Sequence, residues 1–265
     1  LRIDEALKAA VKMLEKSVCR PRLEAELLLA HALGKERLFL HLNPKNTFKE
    51  KEFFQMVKRR ATGEPLEYIV KRVSFYSEDF FIDYGALIPR PETELLIDEL
   101  SKELKGDEKV AEIGVGSGIV SIILKKKFPN LAITATDISR KALDIAKKNA
   151  QKHGVDIELV NTSFLEGLRD DFDVIVSNPP YIKKDFELER VVRDFEPHEA
   201  LFGGEEGDET LREIIKIFKK SRVKVLACEM GYDQKARLEP LLKDYDNRFY
   251  KDLSGLDRGF IAKKE

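Results

Sequence analysis

Asn178-Pro179-Pro180-Tyr181 closes the apolar run Phe172-Asp173-Val174-Ile175-Val176-Ser177. These four residues place an amide side chain, two rigid backbone units and an aromatic face at one strand end. Neither proline nitrogen can donate, so the carbonyls of Asn178 and Pro179 are held in a defined geometry and free to accept. That array suits a planar NH2 group: two acceptors take its hydrogens while Tyr181 covers one face. A nitrogen of this kind is a poor nucleophile because its lone pair is delocalised. Holding it in line with an electrophilic methyl is then most of the catalysis available.

A Pro-Pro pair after a strand is by itself only a stiff turn, and a second motif decides what it is for. Upstream lies Val110-Ala111-Glu112-Ile113-Gly114-Val115-Gly116-Ser117-Gly118, a short strand running through Gly-x-Gly-x-Gly into a helix-like stretch that ends near Lys127. Glycines there let a ligand approach the backbone, and the helix N-terminus offers unpaired N–H groups. The next strand, Ala132-Ile133-Thr134-Ala135-Thr136-Asp137, ends in an acid placed to hold ribose hydroxyls. Strand, glycine turn, helix, strand and acid make a nucleotide-binding half. Dinucleotide folds favour Gly-x-Gly-x-x-Gly facing a pyrophosphate, whereas Ile119 stands where that third glycine would fall. An NAD enzyme would also leave the Asn-Pro-Pro-Tyr tetrad without a use. The two motifs together predict S-adenosylmethionine (SAM), an adenosine carrying a reactive methyl.

Composition narrows the partners. With 36% charged residues the net charge is only −1, whereas a dedicated nucleic-acid binder usually carries a basic excess. No direct DNA substrate is expected. No apolar run reaches membrane-spanning length. Cys19 and Cys228 lie far apart, which predicts a reducing, cytoplasmic setting, and His31, His41, His153 and His198 form no metal-ligand spacing. Metal dependence is not expected, and the chain is expected to act as a monomer. Dense Lys and Glu with no Trp resembles a heat-adapted surface.

The elements that must position these residues follow from periodicity. Residues 1–67 predict a helical bundle. Ile3, Leu7, Ala10 and Leu14 recur at helical spacing, Pro21 opens a helix that Gly34 closes, and Thr47-Phe48-Lys49-Glu50 fits a capping box before a helix ending near Gly63. This bundle is the candidate for partner recognition. Residues 68–88 carry the clusters Tyr68-Ile69-Val70, Phe75-Tyr76 and Phe80-Phe81-Ile82 around Ser77-Glu78-Asp79, and read as a β-hairpin linker. Residues 89–265 form the third part. Pro91 and the acids after it suit a helix first turn, which would bring Arg90 and Thr93 beside the cofactor site if that helix packs next to the glycine loop. From residue 109 strands are expected near 109–114, 132–137, 157–162, 172–177 and 223–229. Helices are expected near 118–127, 139–152 and 209–220. This is an α/β pattern, a mostly parallel sheet covered on both faces, with an antiparallel hairpin at 248–253 and 258–263. In such sheets ligands bind at the carboxyl ends of strands, where Gly114, Asp137, Ser163-Phe164 and Asn178 all fall.

At this point the chain resembles the release-factor glutamine methyltransferase family (HemK or PrmC type) over nearly its whole length. The resemblance rests on Arg22-Leu23-Glu24-Ala25-Glu26-Leu27-Leu28-Leu29-Ala30-His31 and Gly63-Glu64-Pro65-Leu66-Glu67-Tyr68-Ile69. Its most specific mark is Leu87-Ile88-Pro89-Arg90-Pro91-Glu92-Thr93-Glu94. The glycine loop, Thr136-Asp137-Ile138-Ser139, the tetrad with Ile182, and Glu196-Pro197-His198-Glu199-Ala200-Leu201-Phe202-Gly203-Gly204 complete it. It implies a class I SAM-dependent methyltransferase domain, Rossmann-like, behind a small helical domain and a hairpin linker. The implied reaction moves a methyl from SAM to the side-chain amide of the glutamine in the Gly-Gly-Gln motif of peptide-chain release factors. It places Gly114, Val115, Gly116, Ser117 and Gly118 along the methionine part of the cofactor, with Glu112 also among the cofactor-binding residues. Asp137 falls at the ribose and Phe164 beside the adenine. Asn178, Pro179, Pro180 and Tyr181 would hold the substrate glutamine, Asn178 also bordering the cofactor. Many related enzymes have an acid where this chain has Ser163, which puts adenine contacts there in doubt, and Val115 is a minor variation. Asn-Pro-Pro-Tyr alone is shared with adenine-modifying DNA methyltransferases, the alternative reading, which would want a basic cleft and a target-recognition segment. Mere cofactor binding without catalysis would have no use for Asn178.

Overall fold

The computed structural model describes residues 1–264, which divide into two units, one of residues 1–72 with 188–195 and one of residues 73–187 with 196–264. In the first, helix α1 (Ile3–Leu14) buries Ile3, Leu7, Ala10 and Leu14 on one face, the stripe that the spacing predicts. Helix α2 (Pro21–Leu33) starts on Pro21 and stops at Gly34 in the left-handed conformation, φ 59°. Helix α3 (Arg37–Leu42) anchors through Leu40, and α4 (Lys51–Ala61) adds Phe53, Met56 and Val57 to the same core. The capping box expected at Thr47 is not formed. Thr47 instead bridges Arg2, while Phe48 N–H donates to the Leu1 carbonyl (3.2 Å), so this stretch stays extended and α4 starts at Lys51. Tyr68-Ile69-Val70, expected in the hairpin, end a short helix α5 (Leu66–Val70) that buries Tyr68 and Ile69. Pro65 ahead of them sets a helix start, and this outweighs their β propensity.

In the second unit strands β1 (Arg72–Phe75, its first residue belonging to the helical unit) and β2 (Glu78–Phe81) form the hairpin. Then follow α6 (Thr93–Ser101), β3 (Lys109–Ile113), α7 (Ile119–Lys127), β4 (Ala132–Asp137), α8 (Arg140–His153), β5 (Glu158–Asn161), β6 (Val174–Ser177) and the two-residue β7 (Ile182–Lys183). The chain continues through α9 (Arg190–Phe195, within the helical unit), β8 (Phe202–Gly204), α10 (Glu209–Lys220), β9 (Val225–Glu229), α11 (Lys235–Leu242), β10 (Asp246–Lys251) and β11 (Asp257–Lys263). Seven strands form one sheet in the order β10-β11-β9-β6-β3-β4-β5, antiparallel only where β11 meets β9 and β10.

Alternate residues of each central strand enter different cores. Val110, Val174 and Val176 pack with α6 and α7, while Ala111, Ile113 and Ile175 pack with α10 and α11. Burial on both faces explains the near-continuous apolar runs. Because Ile113 is level with Thr136 and Ser177, and Ser177 with Cys228, the carboxyl ends of β3, β4, β6 and β9 lie side by side. The order reverses about β3, and this is where open α/β sheets leave a crevice. No helix among the described residues is long and apolar enough to cross a membrane.

Candidate functional site

A cavity of about 420 Å³ opens over those strand ends. The glycine loop forms its floor. Gly114, Gly116 and Gly118 have φ of 76°, 53° and 86°, values that favour glycine. A Cβ on Gly114 or Gly116 would meet nothing within 4 Å, so their backbone is open on the cavity side, whereas one on Gly118 would press on Ala146 at 3.2 Å. Gly118 thus serves the packing of α7 on α8, and the cavity wall passes from Ser117 to Ile119. Buried Asn149 pins the loop from behind, donating from one amide nitrogen to the carbonyls of Ser117 and Phe81, both 2.8 Å, and accepting from Phe81 N–H at 2.7 Å.

Asp137 ends β4 against this loop. Its Oδ2 accepts from Gly116 N–H (3.0 Å) and its Oδ1 from Ser139 N–H (2.8 Å), so the carboxylate ties the glycine turn to the start of α8. Each oxygen keeps a second lone pair for a hydroxyl. Burial raises the carboxyl above its ordinary value, opposed by those two N–H donors. Thr162, Ser163 and Phe164 continue the wall. Phe164 adopts φ 49° with its carbonyl taken by the Thr136 hydroxyl at 2.7 Å. A non-glycine residue in this region costs on the order of 1 kcal/mol, and here it turns the ring into the wall.

Glu112 sits wholly buried on β3, its carboxylate receiving Ser121 through both the backbone N–H (3.0 Å) and the hydroxyl. Burial pushes it from an ordinary 4.5 up to about 8 against those hydrogen bonds. Between about pH 4.5 and 8 the folded protein therefore keeps a proton that the unfolded chain releases, and stability falls as pH rises across that window. Glu112→Gln should flatten this slope, which can reach about 1.4 kcal/mol per pH unit. Denaturant titrations of the cofactor-free protein at several pH values check it. An unchanged slope in the variant removes Glu112 as its source.

Next to the glycine loop, Asn178 follows β6, whose last residue Ser177 is level with Ile113. Its Nδ2 donates to Thr93 Oγ1 (3.0 Å), whose hydroxyl donates to Glu229 Oε2 (2.8 Å). Tyr181 gives its hydroxyl to Glu229 Oε1 at 3.1 Å. Tyr181 lines a second cavity, with Phe186 and Tyr232, rather than the first. Burial, with Glu229 beside it, raises the phenol further above its ordinary 10, so it is no base at neutral pH. The segment is braced by β8 and the turn after it: a Cβ on Gly203 would lie 2.5 Å from the Pro180 carbonyl, and one on Gly207 2.7 Å from that of Tyr181. Only glycine permits that approach.

Arg90 and Thr93 both reach this cavity wall. The helix begins at Thr93, two residues beyond Pro91, and buries that threonine. Arg90 pairs with buried Glu196 (2.6 Å) and reaches its own segment at the Ile88 carbonyl (3.1 Å), while Ile88 N–H donates to Glu196 (3.1 Å). One carboxylate thereby joins the Pro-Arg-Pro-Glu-Thr segment to Glu196-Pro-His-Glu. Two residues escaped sequence reasoning, Glu229 and Asn149. Glu229 carries the signal that exposed Asp137, an acid ending an apolar strand, whereas Asn149 reads as one polar residue within a charged helix.

The chain matches the model of the methyltransferase small domain over residues 89–199 and that of the PrmC N-terminal domain over residues 5–70. It is 35% identical to a release factor glutamine methyltransferase of Koribacter versatilis over 276 residues, covering 99% of this chain and 98% of that protein. With the enzyme of the same name from Coxiella burnetii it shares 38% over 281 residues, 100% of this chain and 99% of the other. Among solved structures, a methyltransferase from Pyrococcus furiosus superposes with a TM-score of 0.53 at 19% identity, covering 82% of this chain and 99% of that one. The hMettl16 catalytic domain gives 0.55 at 15%, covering 69% and 75%. At such identities the likeness concerns the fold alone, that of the class I methyltransferases.

Proposed function

Because the chain belongs to the release factor glutamine methyltransferase family, we propose that it moves a methyl group from SAM to the glutamine side-chain amide in the Gly-Gly-Gln motif of peptide-chain release factors. One observation carries this reading. Asn178 spends its NH2 on Thr93, which leaves Oδ1 without a protein partner among the described residues, and the neighbouring Pro179 carbonyl accepts no hydrogen bond either. Two free acceptors at one strand end match the two hydrogens of a primary amide.

The residues present fit the cofactor. Gly114 and Gly116 expose backbone to the cavity, Asp137 offers two oxygens to a ribose diol, and Phe164 supplies an aromatic wall. When bound, SAM supplies an electrophilic methyl. Asn178 Oδ1 and the Pro179 carbonyl hold the amide nitrogen by its hydrogens, favour its pyramidalisation and stabilise the positive charge that grows on it. Each such contact contributes about 1–3 kcal/mol, or one to two decades in rate. No strong general base is required, because the nitrogen becomes acidic once it is cationic.

To the helical unit we assign docking of the release factor, whose remote contacts would orient the glutamine. Labelled methyl incorporation into a whole release factor, a short Gly-Gly-Gln peptide and DNA, run side by side, tests both parts. The release factor should be modified far more efficiently than the peptide, and DNA not at all. Equal turnover of factor and peptide would remove the docking role, and label in DNA would turn the reading toward an adenine methyltransferase.

A further inference from the structure

Glu229, a fully buried carboxylate at the end of β9, lines neither cavity and yet determines which way Asn178 presents its amide. Tyr181 reaches one of its oxygens at 3.1 Å and Thr93 the other at 2.8 Å. A hydroxyl has one hydrogen to give. Thr93, having given its hydrogen to Glu229, can meet Asn178 only as an acceptor, and it does so with Nδ2 at 3.0 Å. We infer that Glu229, acting through Thr93, is a positioning residue that polarises Asn178 so that Oδ1 rather than NH2 faces the substrate.

This rests on the methyl-transfer reading above, and it assigns Thr93 to the substrate side of the site rather than to the cofactor. The reverse arrangement is easily drawn. If Glu229 carried a proton on Oε2 it would donate to Thr93, the Thr93 hydrogen would turn to Asn178 Oδ1, and NH2 would face the incoming amide. A donor facing a donor cannot hold it.

The surroundings bear on which arrangement prevails. Around Glu229 stand Thr93 with Glu92 just before it, Tyr181 after β6, Tyr250 on β10 and Arg258 on β11. Burial pushes the carboxyl from 4.5 up to about 7, Glu92 acting in the same direction while Thr93, Tyr181 and Arg258 oppose it. The acceptor arrangement therefore fills as pH rises through neutrality.

The test compares Thr93→Val and Thr93→Ser with the unaltered enzyme on a release factor, reading kcat, the dissociation constant for SAM, and the pH profile of kcat. Valine keeps the shape and removes the relay, and serine restores the hydroxyl. We expect kcat to fall at least about tenfold with valine, to recover to within about threefold with serine, and SAM affinity to hold in both. Glu229→Gln does not titrate, so the rise in kcat across neutral pH should vanish with it. Equal rates for the valine and serine variants would overturn the assignment. So would SAM affinity falling in step with kcat in the valine variant, or an unaltered profile with glutamine at 229. If the unaltered enzyme leaves the release factor unmodified, the substrate reading has failed, an outcome distinct from these.

Discussion

Asn178→Ala should bind SAM within about threefold of the unaltered protein and lose about two to three decades in methyl transfer. The expectation follows from where the side chain stands. Its Nδ2 is committed to Thr93, Oδ1 has no protein partner among the described residues, and Asn178 lines the cavity on β6, with β3 between it and the strand that ends in Asp137. Removing it deletes one of two acceptors for the substrate amide and loosens the orientation of the nitrogen, while Asp137 and the glycine backbone stay in place. In free-energy language the interaction is made with the reacting group, so its loss falls on kcat. Calorimetry beside a labelled-methyl assay separates the two quantities. Near-normal turnover would sink the mechanism, and a parallel loss of SAM affinity would move Asn178 to the cofactor side.

Asp137→Ala should act in the opposite sense, weakening SAM by about two to four decades through two charged hydrogen bonds worth about 1.5–3 kcal/mol each. More than the ribose contact is lost. The same carboxylate receives Gly116 N–H and Ser139 N–H, so the glycine turn and the start of α8 lose their tie together. Asp137→Asn keeps acceptor capacity without the charge and should fall between. Because burial raises the Asp137 carboxyl, SAM affinity should also weaken as pH falls through that raised value, and this acid limb should be absent in the asparagine variant. A dissociation constant indifferent to both substitutions would remove Asp137 from the site.

Much of the framework was legible because one physical signal dominated each part of it. Strands β3, β4, β6 and β9 are buried on both faces, so they read as apolar runs whatever their neighbours. The glycine turn and Asn-Pro-Pro-Tyr announce themselves through backbone chemistry that other residues cannot reproduce. The short pieces were not legible. Helices α3 and α5 are six and five residues long, too brief to show a period, and α11 holds Pro240 inside it, which reads as a break. The box at Thr47 failed because pairing with the chain start, a contact of distant residues, took that stretch. Glu229 is the instructive omission. Its partners Thr93 and Tyr181 lie 136 and 48 residues away, and only the packing of α6 on β9 and the level carboxyl ends of β6 and β9 bring them together. Tyr181 shows the same limit, since nothing local says that its hydroxyl turns to Glu229.

Where the methyl lands is the most direct test of the central claim. An unmethylated release factor incubated with this protein and SAM, then digested and sequenced by tandem mass spectrometry, should carry a single methyl on the side-chain nitrogen of the glutamine in Gly-Gly-Gln. The same reaction with Asn178→Ala should leave that peptide almost entirely unmodified. A methyl on a different residue, or a glutamine left bare by an enzyme that demonstrably binds SAM, would contradict the account.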